Sequence, residues 1–168
     1  RMLQEYAENL YLPAIHRARK LGGDNLAGSI AMAHLKNRLR AAWGRIRIEN
    51  VEAPTGKVLN LREPLEIMAT VSLAGIKPAE VRVQVFVGRL NNDGQLIEGK
   101  AHDLAHQAEV GDGQHRFACS VTAPTSGRYG FAVRVVAGGE MFFHEPGLIC
   151  WESRRTPVVV AKSSEKVA

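Results

Sequence analysis

The stretch Gln114–Ala137, QHRFACSVTAPTSGRYGFAVRVVA, constrains the fold more than any other. Phe117, Cys119 and Val121 alternate with Arg116, Ala118 and Ser120, so one face is apolar at the period of a β-strand. Pro124–Gly127 interrupts this ladder, because proline has no N–H to donate and glycine accepts positive φ. The alternation resumes with Tyr129, Phe131, Val133 and Val135. A Ser-Gly-x-Tyr entry into a long strand predicts a tyrosine corner, the device that pins a strand end in immunoglobulin-like sandwiches. A tyrosine that simply packs is the other reading.

The same period recurs before and after this pair. Ile46 and Ile48 alternate with Arg45, Arg47 and Glu49; Leu65, Ile67, Ala69, Val71 and Leu73 alternate with Glu66, Met68, Thr70 and Ser72; and Val81, Val83, Val85 and Val87 alternate with Arg82, Gln84, Phe86 and Gly88. Asn91–Gly94 (NNDG) supplies the residues a tight hairpin turn needs. Leu96-Ile97 begins a return strand, 100–110 reads as a weaker one, and Gly111–Gly113 turns the chain. Leu148–Trp151 (LICW) is a last strand. The prediction is a mainly β protein: an immunoglobulin-like antiparallel β-sandwich of about seven strands, preceded by a two-helix hairpin.

The helical pattern fills the N-terminal quarter. Leu3, Ala7, Leu10, Ala14, Ala18 and Leu21 recur at spacings of three and four over residues 1–21. Pro13 lies inside this pattern and predicts a kink near Leu10–Leu12. Gly22-Gly23 ends the helix, and Asp24 or Asn25 is placed to cap a second one over about 25–43. The expected domains are therefore a helical hairpin at 1–43, a sandwich at 44–153 and a polar, disordered tail at 154–168. The helix pattern is already running at Arg1 with no capping residue ahead of it, which suggests a piece of a longer chain. The two helices also carry more apolar surface than they can hide in each other. The remainder is expected to rest on the sandwich, on a body absent from this sequence, or on a second copy in a homo-oligomer.

Composition excludes some classes. No run of about 18 apolar residues exists in the 168, so no membrane partner is expected. Cys119 and Cys150, the two cysteines, lie in strand-like runs and read as reduced thiols of a cytoplasmic protein. The net charge of +5 is scattered. Lys36, Arg38, Arg40, Arg45 and Arg47 could contact phosphate in a basic nucleic-acid-binding domain. The preferred reading is a solvated face and no nucleic-acid partner.

Nothing assembles into a catalytic signature. His102 and His106 are four apart, but on a strand that spacing spans about 13 Å, too far for one ion, so no metal site is expected. Glu63, Glu66, Glu80, Glu98 and Asp103 could supply a carboxylate pair, yet nothing places two of them together. The aromatic residues Phe86, Phe142 and Phe143 stand out on a polar strand face and in a loop. They would suit either a domain interface or a sugar-stacking surface, and the interface is the preferred reading.

Four segments carry a family resemblance. RMLQEYAENLYLPA (Arg1–Ala14) resembles the C-terminal helix of bacterial α-glucan (glycogen or maltodextrin) phosphorylases, in the short-form branch with an extra C-terminal β domain. AEVRVQVFVGRLNNDGQLIEG (Ala79–Gly99), SGRYGFAVRVV (Ser126–Val136) and HEPGLICWES (His144–Ser153) are similar to the following strands of that branch. The resemblance implies a parent enzyme that moves glucosyl units between an α-1,4-glucan and orthophosphate with pyridoxal phosphate as cofactor. It also implies that the cofactor lysine and the phosphate- and sugar-binding loops lie upstream, so no catalytic or cofactor-binding residue is carried onto this numbering. What it leaves for this chain is a non-catalytic structural or assembly role, with an α-glucan-binding module as the alternative. The tail beyond Trp151 is longer and more basic than the family pattern, and the loop at 137–143 is shorter.

Overall fold

The computed structural model describes residues 2–23, 26–54, 58–60, 63–123, 125–138, 147–152 and 158–162. The chain divides into two compact units, residues 1–41 and 42–168.

The first unit is helical. Helix α1 (Met2–Tyr6) runs through a π-helical turn (Ala7–Tyr11) into α2 (Leu12–Gly22). In the π turn the Leu12 N–H donates to the Ala7 carbonyl, five residues back. The widened turn directly precedes Pro13, whose ring and missing N–H cannot follow a regular α-helix, so the predicted kink takes the form of a π bulge. At the other end the Gly23 N–H closes onto the Arg19 carbonyl at 3.1 Å. Helix α3 (Ala27–Trp43) follows; Asp24 and Asn25, the expected caps, lie outside the described residues. Ser29 Oγ donates to the Leu21 carbonyl at 2.9 Å, tying the two helices at their turn. Among the described residues they meet there and do not lie against each other along their lengths. Large apolar side chains of the first helical segment are left exposed: Tyr6, Leu10, Tyr11, Leu12 and Ile15, with Leu10 at 58% and Tyr11 at 65%.

The second unit is mainly β and antiparallel. Its strands are β1 (Arg47–Glu52), β2 (Val58–Asn60), β3 (Pro64–Ser72), β4 (Val81–Leu90), β5 (Leu96–Gly111), β6 (Gln114–Thr122), β7 (Gly127–Ala137), β8 (Ile149–Trp151) and β9 (Val158–Lys162). They form one curled sheet in the order β1-β3-β6-β5-β4-β7-β9-β2, with β8 also on β7. Only the short β2–β9 pair among these is parallel. The curl is made by β5. Its residues 96–104 pair with β4, and its residues 105–111 pair with β6. One strand thus belongs to both faces of the sandwich, and the return strand and the weaker strand at 100–110 read from sequence are a single element. Bulges at Gln107 and Val110 in the β6 pairing sharpen the local twist there.

The alternation seen in the sequence is the burial pattern. Leu65, Ile67, Ala69, Val71 and Leu73 on β3 are buried, as are Val81, Val83 and Val85 on β4, Phe117 and Val121 on β6, and Tyr129, Phe131, Val133 and Val135 on β7. Tyr129 also forms the predicted corner: its hydroxyl donates to the Thr125 carbonyl at 3.0 Å and lies 2.8 Å from Thr125 Oγ1. The NNDG turn closes as expected, with Gly94 N–H on the Asn91 carbonyl and Gln95 N–H on Asn91 Oδ1 at 2.8 Å. Cys119 and Cys150 are free thiols.

The tail needs a correction. Val158–Lys162, expected to be disordered, is strand β9, paired antiparallel with Gly127–Gly130 and parallel with Val58–Asn60. The three consecutive valines at 158–160 have strong strand propensity, and the exposed edge of β7 supplies free N–H and C=O groups for them to pair with. Residues 154–157 and 163–168 lie outside the described residues.

Candidate functional site

The outer face of the sheet carries a row of four residues in direct cross-strand register. Trp151 on β8 opposes Arg134 on β7, Arg134 opposes Gln84 on β4, and Gln84 opposes Asp103 on β5. Opposed residues point to the same face, so the register alone aligns these side chains. The Arg134 guanidinium lies over the Trp151 ring, 5.3 Å from its centroid, and its Nε donates to Gln84 Oε1 at 3.0 Å. Gln84 Nε2 in turn donates to Asp103 Oδ1 at 2.8 Å, and Arg82 Nη2 donates to Asp103 Oδ2 at 2.6 Å. Gln84 is the buried polar side chain among the described residues, and both ends of its amide are satisfied within the row. Partial burial raises the Asp103 carboxyl, but the hydrogen bonds from Arg82 and Gln84 and the Arg82 charge outweigh it. The net result is a group held below its ordinary value of 3.8. The row ends in the indole of Trp151, 49% exposed, with the Arg134 guanidinium over its ring.

Phe86 lies on this same outer face, two residues along β4 from Gln84. Its ring covers Gly99, where any side chain would collide with it, and it is half-buried. It is therefore a packed residue with one edge free. Phe142 and Phe143 lie outside the described residues. The exposed aromatic residue that the sequence pattern does not single out is Trp151. Its position in the terminal strand was legible, but its pairing with Arg134, 17 residues earlier, was not.

The candidate carboxylates are scattered. Glu66 sits on the exposed face of β3 and Asp103 in the row. Glu80 Oε2 accepts the Lys77 N–H at 3.0 Å in the turn before β4. Glu98 lines an open cleft of about 260 Å³ with Arg89, Lys100, His102 and Tyr129. Among the described residues no three His, Cys, Asp or Glu side chains gather in a way that could hold a metal ion. Of the basic residues, Lys36, Arg38 and Arg40 lie on α3. Arg47, in the strand unit, donates from Nη1 to the Gly44 and Ile46 carbonyls at 2.7 Å each. No described helix is long and apolar enough to cross a membrane.

A family profile, the glycogen phosphorylase C-terminal domain, matches residues 43–153, which take in all of the strands from β1 to β8. The chain belongs to that family. Its curated relatives include the glycogen phosphorylases of Mycobacterium bovis and Mycobacterium tuberculosis, each 30% identical over 139 residues. That alignment takes in 81% of this chain and 16% of either relative. Among solved structures, the Pseudomonas fluorescens alkylpurine DNA glycosylase AlkC, bound to DNA containing an abasic site analog, overlaps 92% of this chain and 44% of its own. Its TM-score of 0.43 at 14% identity is too loose to bear on fold or function. Membership in the phosphorylase family gives the outer-face row its context: it belongs to the C-terminal β domain, and Trp151 stands close to the end of the matched span.

Proposed function

We propose that this chain is a non-catalytic C-terminal part of a glycogen phosphorylase, and that its helical unit anchors it to the enzyme's catalytic body. The observation that carries this reading is the exposure of Tyr6, Leu10, Tyr11, Leu12 and Ile15 on the first helical segment. So many large apolar side chains are costly to leave in water, at about 25 cal/mol per Å² of apolar surface. A body of the size of the aligned relatives, about six times the matched length, offers the surface to cover it. The sandwich then caps or braces the enzyme. The pyridoxal phosphate and the transfer of glucosyl units to orthophosphate belong to the body, and the free thiols suit a cytoplasmic enzyme.

The test has two arms. The chain expressed alone should hold no pyridoxal phosphate and release no glucose 1-phosphate from glycogen. In the complete phosphorylase, Leu10→Lys with Ile15→Lys should sharply reduce assembled, active enzyme, while the strand unit's own unfolding midpoint stays unchanged. Full activity and assembly with both lysines in place would overturn the anchoring role.

A second reading, contact with α-glucan, is favoured by one feature: a half-exposed indole at the end of a row of hydrogen-bonding groups. Sugars are bound by stacking on such rings with polar groups at the rim. Co-sedimentation with insoluble amylose that is lost in Trp151→Ala would support it, and no co-sedimentation of the unaltered chain would remove it.

A further inference from the structure

We propose that His106 and His115 form a two-histidine site for a divalent zinc-like ion that clips β5 to β6. His106 lies on β5 and His115 on β6, and their ring nitrogens Nε2 and Nδ1 face each other at 3.3 Å. For a hydrogen bond between nitrogens this is long. For zinc it is the right separation: two imidazole nitrogens at about 2.0–2.1 Å from a tetrahedral ion lie about 3.3–3.4 Å apart. The two rings are therefore already spaced as the edge of a coordination tetrahedron.

The fold holds them there. His106 pairs in register with Phe117, and Glu109 pairs with His115. The His106 ring stands edge-on to Phe117 at 5.3 Å, and Phe117 is a buried core residue, which restricts how far the imidazole can swing. The His106 and His115 rings are tilted at 55° with their centroids 5.3 Å apart, so they are not stacked face to face. Glu109, opposite His115, adds a carboxylate on the same side of the sheet. With two protein nitrogens and no third ligating side chain in place among the described residues, water completes the shell and the ion exchanges freely. Imidazole ligation favours Zn²⁺, Ni²⁺ and Cu²⁺ over Mg²⁺ and Ca²⁺. The location gives the ion a structural consequence. Between His106 and His115 the chain passes through both bulges and the Gly111–Gly113 turn, in the half of β5 that closes the curled sheet. An ion across the pair would fix that register.

The experiment is calorimetric titration of the 168-residue chain with Zn²⁺, in parallel with thermal unfolding. Saturable binding at one ion per chain and a rise in unfolding temperature are expected. His106→Ala and His115→Ala should each weaken binding about tenfold or more and abolish the thermal shift, whereas His102→Ala, in the separate cleft, should change neither. Circular dichroism of the variants without metal checks that the sheet is intact. As a second readout, Zn²⁺ should move the imidazole NMR signals of His106 and His115 together. No zinc binding, or equal affinity in the unaltered chain and in His106→Ala, would overturn the proposal.

Discussion

Removing the Tyr129 hydroxyl tests the corner that closes the β6–β7 connection. In Tyr129→Phe the ring stays in the core, where only 7% of the residue is exposed, and two contacts vanish: the bond to the Thr125 carbonyl and the contact with Thr125 Oγ1. A net intramolecular hydrogen bond contributes about 1 kcal/mol. Thr125 is itself exposed, so water can reach its two oxygens once the hydroxyl is gone, which keeps the loss near that value rather than twice it. The expected destabilisation is therefore about 1 kcal/mol, a fall in unfolding temperature of about 3–6 °C for a unit of this size. Both tryptophans, Trp43 at the end of α3 and Trp151 on β8, lie in the 42–168 unit, so fluorescence during urea unfolding reports on that unit. The midpoint should drop with the slope unchanged. An unchanged midpoint would mean that Tyr129 contributes only packing and that the corner is not holding the strand.

Three further outcomes follow from the same geometry. Gly138→Ala would drive a Cβ to 2.6 Å from the Val81 carbonyl carbon and 2.8 Å from its oxygen, both backbone atoms that cannot step aside. It should cost about 1–3 kcal/mol in urea unfolding, and a neutral result would show that the β4–β7 junction has slack. Burial first, and the nearby Glu66 charge second, push the Cys119 thiol up to about 11. The folded state thus keeps a proton the unfolded state gives up: this group's contribution to stability is whole below 9.0 and fades as pH rises toward 11. Thiolate absorbance of Cys150→Ser should therefore titrate near 11, and a midpoint near 9 would contradict the burial. Asp103 has the opposite sign. Its folded value is depressed, so its contribution is present above 3.8 and lost as pH falls below it. The Arg82–Asp103 pair is about half exposed at each partner, which limits the effect to about 0–1 kcal/mol. Asp103→Asn should flatten the acid limb of the stability curve by that much, and an unchanged limb would count against the ion pair.

Local patterning made the strand unit readable. The period-two residues of β3, β4, β6 and β7 are the ones the core buries, and Asn91–Gly94 and Gly111–Gly113 turn the chain where their backbone freedom allows. What stayed hidden depends on pairing between distant segments. Nothing in residues 96–111 announces that one half of β5 pairs with β4 and the other with β6. The valines of β9 looked like part of a polar tail because their partner, the edge of β7, lies about 30 residues upstream. The outer-face row failed to show for the same reason. Asp103, Gln84, Arg134 and Trp151 are unremarkable in sequence, and only cross-strand register brings them together. Along the chain His106 has His102 as its nearest histidine, whereas its partner across the sheet is His115. In the helical unit the apolar periodicity was clear, but periodicity says which residues share a face and not what covers it.

The measurement that bears most directly on the anchoring role is amide hydrogen exchange over residues 2–22, taken in the isolated chain and in the complete phosphorylase polypeptide. Anchoring predicts rapid exchange across Tyr6–Ile15 in the isolated chain and strong protection of the same amides in the whole enzyme, with β3, β4 and β7 equally protected in both. Identical exchange of residues 2–22 in the two samples would contradict it.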